Sequence, residues 1–516
     1  MRITRVLCTC LSLTVSSNVF AVADSNSLKD EILSLISRGD IALAEAKTHA
    51  LLSEYSHDDN LPQFLIILAQ GYNWANSLEQ AGESYQYVID NFTDSNTVEQ
   101  ARFGIKVVDI LSKIKQGTDS GALIHVSELI ADFSQVAELP EYAFRISQYY
   151  EGQGNYQQAQ LGYLKVSQSF PDSDYAERAL LDSCRISIWL DILSDKMADA
   201  SGKFIALVKD HSSSDSLADV LYYLGQLCRW HGNYDFAEVV LSAVIDLTTD
   251  SSLKSDAQLS YHGARALENV HRGRFSQAQE EMDIILSNYK DNKDFAGVCY
   301  ALADRLRWRG KAVEMKVLYD AILRNCPDSK EALSVTDQMD FYNVLALIDA
   351  DNIPAAETAM TALYSKEVSL EELNKMRFFI AEQFYYEGLQ LRDGGNRDAA
   401  NLYYGKAVEK WEQLLSISPD FTLGPKTRIW PADCYHNLKN YEKSIENFKN
   451  DIETYPDQPN RWYALFMIAD SYKHMAKQGQ ISSDLADSKS QAIYNEIASS
   501  YPDCPAINAV NKELNK

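Results

Sequence analysis

The sequence predicts an all-α protein, an α-solenoid of about twelve helix–turn–helix repeats that covers nearly all of its 516 residues. Three observations support this prediction: an apolar pattern that recurs twelve times, a regular alternation of the intervals between its copies, and turn and stop residues around each copy. A solenoid also accounts for the length, because 516 residues are too many for one hydrophobic core, whereas a repeat array grows along an axis.

The recurring pattern starts at a small residue, here called the anchor, and places a large apolar residue four positions later. An aliphatic residue follows at +7 or +8, often an aromatic residue at +11, and Pro at +12 in five copies. These offsets share one stripe of an α-helix, and Pro cannot continue a helix, so each copy predicts an amphipathic helix with a defined end. The anchors are Ala44, Ala81, Ala122, Ala159, Ala200, Ala237, Ala278, Met315, Ala356, Ala407, Ser444 and Ser490.

Up to Ala356, the intervals between successive anchors alternate between a short step, as from Ala44 to Ala81, and a step four positions longer, as from Ala81 to Ala122. The repeating unit is therefore a pair of repeats with a 78-residue period, as from Ala159 to Ala237. Beyond Ala356, the steps that lead to Ala407 and Ser490 exceed the long step by ten and five positions, which indicates insertions.

The residues before each anchor predict the first half of each repeat. Gly or Asn precedes most anchors and marks a tight turn, and a second helical pattern precedes that turn. One such helix pair cannot bury its apolar stripe alone, so the pairs are expected to stack.

Several copies resemble the tetratricopeptide repeat (TPR) family, although these repeats are longer than the roughly 34 residues typical of it. The matching residues on the two helices are Ala69, Tyr72, Tyr85 and Val88 in one copy, and Leu224, Gly225, Leu241 and Val244 in another. The resemblance runs from about residue 28 to residue 502 and implies a right-handed solenoid whose first helices line a concave docking face. The YPD and FPDS endings are similar to those of exported bacterial members, the BamD-like and CpoB-like envelope proteins.

Residues 1–23 have the pattern of a secretory signal peptide: a basic start, the apolar run VLCTCLSLTV and the small-residue site AVA. We expect cleavage after Ala23 and a periplasmic or secreted mature chain without a transmembrane segment. Residues 24–368 are predicted to form repeats 1–9 of a TPR-like array. Residues 369–516 are predicted to form repeats 10–12, with the two insertions and a C-terminal cap.

The composition restricts the class of partner. The chain has a net charge of −25, which would repel a phosphate backbone and makes nucleic acid a poor partner. Protein or peptide partners, basic ones among them, or divalent cations fit this charge better; alternatively, the acidity only keeps the surface soluble. Six cysteines follow the predicted leader without any CxxC pair, and the sequence does not pair them.

The sequence contains no motif that predicts catalysis. It has no HExxH, Walker A, GxSxG or EF-hand pattern, and its nine histidines show no metal-ligand spacing with cysteine. Three short segments that superficially resemble chemical sites, GTDSG (117–121), GES (82–84) and DGGNRD (393–398), are better interpreted as turns or a solvated helix face. We therefore expect no enzyme activity, no cofactor and no metal site.

The two-repeat period predicts a candidate binding track on the first helices. Polar residues recur eleven positions before alternate anchors, and Trp, or Gly152 in one copy, recurs seven positions before them. Such a track suits peptide binding, since amides bond backbone groups and Trp supplies contact area; the alternative is that each Trp packs beneath the next repeat. The candidate residues are Gln70, Trp74, Gln148, Gln226, Trp230, Asp304 and Trp308.

These observations favour an exported, non-catalytic scaffold that mediates protein–protein interactions in envelope assembly or export. Tyr222 and Gln226 occupy positions where the resemblance would place carboxylate-clamp residues, so a clamp for a chain terminus is not expected. The alternatives are a glycan-associated scaffold in polysaccharide export or cell-wall processing, without catalytic activity of its own, and a purely structural spacer.

Overall fold

The computed structural model describes residues 24–118, 121–366, 368–424 and 426–515. Over these ranges the chain forms 26 α-helices and no β-sheet, which confirms the predicted all-α class. The predicted signal peptide and part of the GTDSG segment lie outside the described residues. Among the described helices, none combines the length and apolar composition that a membrane crossing requires.

The chain divides into two compact units, Met1–Leu224 (unit 1) and Gly225–Lys516 (unit 2). The predicted boundary between residues 368 and 369 stays a prediction. The described part of unit 1 contains ten complete helices, and the division falls within an eleventh. They are α1 (Ser25–Arg38), α2 (Ile41–Glu54), α3 (Leu61–Trp74), α4 (Leu78–Asn91), α5 (Ser95–Gln116), α6 (Ala122–Asp132), α7 (Leu139–Gly152), α8 (Tyr156–Ser169), α9 (Ala176–Leu193), α10 (Met197–Asp210) and α11 (Leu217–Trp230).

Unit 2 continues the same succession of helix pairs. Its helices are α12 (Tyr234–Leu247), α13 (Ser251–His271), α14 (Phe275–Asn288), α15 (Phe295–Arg307), α16 (Ala312–Asn325), α17 (Lys330–Thr336), α18 (Met339–Asp349), α19 (Ile353–Tyr364), α20 (Leu370–Asp393), α21 (Arg397–Ile417), α22 (Lys426–Asn437), α23 (Tyr441–Thr454), α24 (Arg461–Lys477), α25 (Ser483–Ser500) and α26 (Ile507–Leu514). Within each unit, first helices contact one another in sequence, as in α3–α5–α7 and α13–α15–α17, and form a layer.

The anchors are almost completely buried residues of the second helices. All twelve are at most 1% exposed, and they lie in α2, α4, α6, α8, α10, α12, α14, α16, α19, α21, α23 and α25. The residues four positions later are at most 7% exposed, and each apolar one contributes about 1.5–3 kcal/mol on burial. Thr48 is the polar exception in that row, and its hydroxyl bonds the Ala44 carbonyl (3.0 Å) and the Tyr72 hydroxyl (2.9 Å).

The turn within each helix pair has a repeated backbone conformation. In ten copies a residue with positive φ lies five positions before the anchor, for example Gly154 (φ 74°), Gly232 (φ 82°) and Asn76 (φ 59°). Gly and Asn adopt this left-handed conformation at low cost, which explains the Gly and Asn signals in the sequence. In the intervals that lead to Ala407 and Ser490, the residue with positive φ in the turn is Gly395 or Gly479, which lies twelve or eleven positions before the anchor. The insertions therefore lie mainly after the turn, as extra residues of α21 and α25.

The alternation of short and long intervals has a structural origin in the first helices. The short intervals contain first helices of 12–14 residues, whereas α5, α9 and α13 in the long intervals have 22, 18 and 21 residues. Asp94 and Asp250 cap α5 and α13 by accepting hydrogen bonds from backbone N–H groups of the first turn. In the fourth long interval the first helix is split into α17 and α18.

Candidate binding groove

Unit 2 contains a surface groove of about 410 Å³ at the place where three of the predicted binding residues converge. It is formed by the end of α11, the start of α12, and parts of α13 and α15. We call it the Trp230–Trp308 groove, and its lining residues are Arg229, Trp230, Tyr234, Leu267, Ala301, Asp304, Arg305 and Trp308.

The two tryptophans occupy equivalent places, since each lies at the end of a first helix and they are one two-repeat period apart. Trp230 is 63% exposed, while Trp308 is half-buried and packs edge-on against Phe379 at 6.0 Å between ring centres. The guanidinium carbon of Arg307 lies 4.5 Å from the Trp308 ring centre, and the Lys426 ammonium lies 4.3 Å from it. These contacts hold Trp308 in a fixed orientation and place positive charge beside it.

Polar side chains of the groove are held by hydrogen bonds within unit 2. Gln226 is only 6% exposed, donates to the Ser260 hydroxyl (2.7 Å) and accepts from Arg229 (2.9 and 3.1 Å). Its amide therefore positions Arg229, which is itself only 8% exposed, and direct contact of Gln226 with a ligand stays a prediction. Arg305 donates to the Tyr234 hydroxyl at 3.2 Å, which fixes a second guanidinium at the groove.

Asp304 is the acidic member of the groove. Its carboxylate accepts a hydrogen bond from Arg307 at 3.3 Å, and its side chain remains 46% exposed. With Arg229 and Arg305 also lining the groove, cations outnumber carboxylates there, although the whole chain is strongly acidic. The groove is therefore positively charged, whereas the negative net charge of the whole chain is the basis for predicting basic partners.

A second depression of about 510 Å³ lies near the first helices α22 and α24. The tryptophans Trp430 and Trp462 line it together with Tyr463 and Lys426. The Lys426 ammonium lies 4.3 Å from the Trp308 ring centre and 5.2 Å from that of Trp430. One lysine therefore contacts a tryptophan of each depression, and aromatic and cationic groups continue beyond the Trp230–Trp308 groove.

The predicted residues of unit 1 have a different environment. Trp74 is 56% exposed, but the Arg145 guanidinium covers its ring at 4.0 Å and also donates to the Asn73 carbonyl. Gln70 is half-buried and Gln148 is exposed. In unit 1 an arginine of the protein itself thus occupies one face of the tryptophan.

The structure also brings together three residues that sequence reasoning missed, His436 of α22 with Asp470 and His474 of α24. Their potential ligand atoms all lie within 4.8 Å of one another. Burial lowers the pKa of His436, opposed by the Asp470 carboxylate. In the sequence, only the i,i+4 spacing of Asp470 and His474 indicates that two of these side chains share one face of a helix. The position of His436 beside them depends on the packing of α22 against α24.

Comparison with known proteins gives similarity at the level of structure. No protein-family model matches the chain, and no curated protein matches it. Similar solved structures include a tetratricopeptide repeat protein from Parabacteroides merdae, at 11% identity and TM-score 0.35, covering 56% of this chain and 98% of that one. The fold is TPR-like. Its helix pairs, buried anchors and repeated positive-φ turns are the features of that fold.

Two further similar structures are matched over nearly their whole length. The APC/C hetero-tetramer Cut9–Hcn1 is 12% identical, with TM-score 0.27 and coverage of 96% of both chains. Yeast Tom70 is also 12% identical, with TM-score 0.31, covering 95% of this chain and 94% of that one. The similarity to exported envelope members stays a prediction from the sequence.

Proposed function

We propose that the protein is a non-catalytic scaffold that binds an extended segment of a partner protein in the Trp230–Trp308 groove. The observation that carries this proposal is the convergence of two tryptophans, one two-repeat period apart in sequence, with two arginines in one groove. An exported location, in the periplasm or outside the cell, is part of the proposal and rests on the sequence of residues 1–23.

The chemistry of the groove favours a particular kind of segment. Trp and Arg are the residues that most often dominate binding energy at protein interfaces, because they combine large contact area with directional hydrogen bonds. Arg305 is half-buried and is held by the Tyr234 hydroxyl before binding, which reduces the entropy lost when a ligand orders it; the buried Arg229 adds positive charge beneath the groove. We infer that the preferred segment presents a carboxylate next to an aromatic or aliphatic side chain.

Selection of peptides from a random displayed library tests this proposal on the full chain. Peptides that bind the wild-type protein should lose about 30-fold in affinity to either Trp230→Ala or Trp308→Ala, equivalent to about 2 kcal/mol. Leu402→Ala is the matched control, since Leu402 is 58% exposed on α21 of unit 2 and does not line the groove. Selected peptides that bind all variants equally would contradict the proposed site.

A glycan ligand is the second candidate, favoured by the exposed indole of Trp230 beside the Asp304 carboxylate and two guanidinium groups. Sugar rings stack on such aromatic faces while their hydroxyls bond charged side chains. Cosedimentation with peptidoglycan or exopolysaccharide distinguishes the two candidates. The glycan-associated scaffold would be favoured if the peptide selection yields no binders and if glycan binding is lost in Trp230→Ala and Trp308→Ala.

A further inference from the structure

We propose that His436, Asp470 and His474 form a binding site for a divalent transition-metal ion, with Zn²⁺ preferred. The site is separate from the Trp230–Trp308 groove and does not depend on the scaffold function. It joins α22 to α24, the first helices of two successive repeats in unit 2.

The distances within the cluster match a metal coordination sphere. His436 Nε2 lies 3.2 Å and His474 Nε2 lies 3.4 Å from the same Asp470 carboxylate oxygen, Oδ2. Bonds of about 2.0–2.1 Å to a tetrahedral Zn²⁺ place neighbouring ligand atoms about 3.3 Å apart. By contrast, N–H···O hydrogen bonds are usually about 2.9–3.0 Å long. The two observed distances are close to two edges of such a tetrahedron.

Neighbouring residues orient both imidazoles. The hydroxyl of Ser471, which is fully buried, lies 3.3 Å from His436 Nδ1, the ring nitrogen on the far side from Asp470. The Tyr441 ring stacks on the His474 ring at 5.3 Å between centres and an angle of 13° between planes. Support of this kind is typical of metal sites, where a second layer of contacts fixes the ring orientation of the ligands.

The donor set and its exposure define the class of ion. Two imidazoles and one carboxylate favour Zn²⁺ and similar transition metals, whereas Mg²⁺ and Ca²⁺ prefer oxygen donors alone. The side chains of His436, Asp470 and His474 are 14%, 35% and 37% exposed, so an ion can enter from solvent. Three protein ligands leave a fourth tetrahedral position for water or for a group from a partner.

Isothermal titration of the full chain with ZnCl₂, after treatment with a chelator, tests the site. We expect a Zn²⁺ ion to bind with an affinity that falls about 100-fold or more in the double variant His436→Ala/His474→Ala. Asp470→Asn should weaken binding while leaving the packing of both rings intact. His271→Ala is the matched control, because His271 is an exposed histidine of unit 2 outside the cluster, and this variant should bind as the wild type does.

Two further measurements keep the proposal falsifiable. Far-UV circular dichroism identifies a variant that fails to fold, in which case the single variants His436→Gln and His474→Gln replace it. An anomalous-scattering peak at the zinc edge, in crystals soaked with ZnCl₂, should lie between the two Nε2 atoms and the Asp470 carboxylate. Unchanged zinc affinity in the folded double variant, or a peak at a cysteine such as Cys184 or Cys326, would overturn the proposal.

Discussion

In unit 1 two buried carboxylates are paired with a buried arginine, whereas in unit 2 comparable carboxyls lie among tyrosines. Arg185 is 1% exposed, and its guanidinium bonds Glu151 at 2.8 Å and Asp182 at 3.0 Å. Burial alone would lower the pKa of Arg185, but the two carboxylates outweigh it and raise the pKa. The Tyr163 hydroxyl also donates to Glu151 at 3.1 Å, so the network joins α7, α8 and α9.

Unit 2 contains three buried carboxyls, those of Glu382, Glu387 and Asp433, for which no ion pair with an arginine is seen among the described residues. Burial raises the pKa of Glu382 to about 7, opposed by the charges of Lys426 and Arg307 and by a hydrogen bond from Tyr386. Burial also raises the pKa of Asp433 to about 6, opposed mainly by hydrogen bonds from tyrosine hydroxyls. Asp433 accepts from Tyr463 (2.7 Å) and Tyr385 (3.0 Å). Burial also raises the pKa of Glu387.

The difference shows that one repeat geometry accommodates buried acids in two ways. In unit 1 a buried guanidinium pairs with both carboxylates, which makes each member of the network depend on the others. In unit 2 burial favours the protonated forms of Glu382, Glu387 and Asp433, which makes stability depend on pH. Two other buried carboxylates of unit 2, Glu268 and Glu281, are instead paired with the more exposed Arg272 and Arg265.

Replacing Arg185 should destabilise unit 1 strongly. Arg185→Met leaves Glu151 and Asp182 buried without their shared cation, which costs about 3–5 kcal/mol of unfolding free energy. Hydrogen exchange of peptides from α7–α9, followed by mass spectrometry in the full chain, measures this loss. Arg178→Met is the control, because Arg178 bonds the same Asp182 at 3.0 Å from a side chain that is 35% exposed, and its removal should cost less than about 1 kcal/mol. Equal exchange in the two variants would contradict the importance of the network.

Raising the pH should destabilise unit 2 more than unit 1. A carboxyl whose folded pKa exceeds its unfolded pKa stabilises the fold fully below the unfolded value, near 4, and loses this contribution as the pH rises through 6 to 7. For Glu382 the loss is on the order of 3 kcal/mol. Hydrogen exchange at about pH 5 and about pH 8 measures it separately for each unit.

The variant Glu382→Gln sharpens this pH test. Glutamine resembles the protonated acid, so the variant should lose part of the pH dependence of unit 2 and be more stable than the wild type at about pH 8. Glu409→Gln, an exposed change on α21, provides the control. A pH dependence that Glu382→Gln leaves unaltered would show that Glu382 is not its source.

The smallest expected effect concerns the equivalent tryptophans. Trp74→Ala removes the ring that Arg145 covers at 4.0 Å and should lower the stability of unit 1 by about 0.5–1 kcal/mol. Trp230→Ala should change stability by less than about 0.5 kcal/mol, since the ring is 63% exposed, and should mainly affect ligand binding. Urea unfolding and the peptide-binding assay together separate the two roles. If the two variants change stability equally and peptide affinity equally, Trp74 and Trp230 do not have different roles.

The repeats could be predicted from sequence because their signals are local. The apolar spacing that starts at Ala159, and the glycine at Gly154 that the turn requires, are visible within one helix pair. The side-chain environment of the first helices could not be predicted from the same period. Gln148 and Gln226 occupy equivalent positions, yet the first is exposed and the second is buried against Ser260.

The candidate sites show the same limit. The period located Trp230 and Trp308 correctly at equivalent helix ends, but it did not predict that Arg145 would cover Trp74. The cluster at His436 depends on the packing of α22 beside α24, which no spacing along the chain expresses. Local periodicity thus predicts which residues form the core, while contacts between non-adjacent helices decide which polar groups meet.

The order of helix contacts has a consequence for how the chain acquires its structure. Among the described helices, the extensive contacts join elements that are no more than two apart along the chain, as in α1–α3 and α20–α22. Each helix pair therefore needs only its immediate predecessors in order to pack. Contacts of such short sequence separation favour rapid folding, which can nucleate at many points and propagate. A chain that emerges gradually, starting from its N-terminus, could fold progressively, before its last repeats are available.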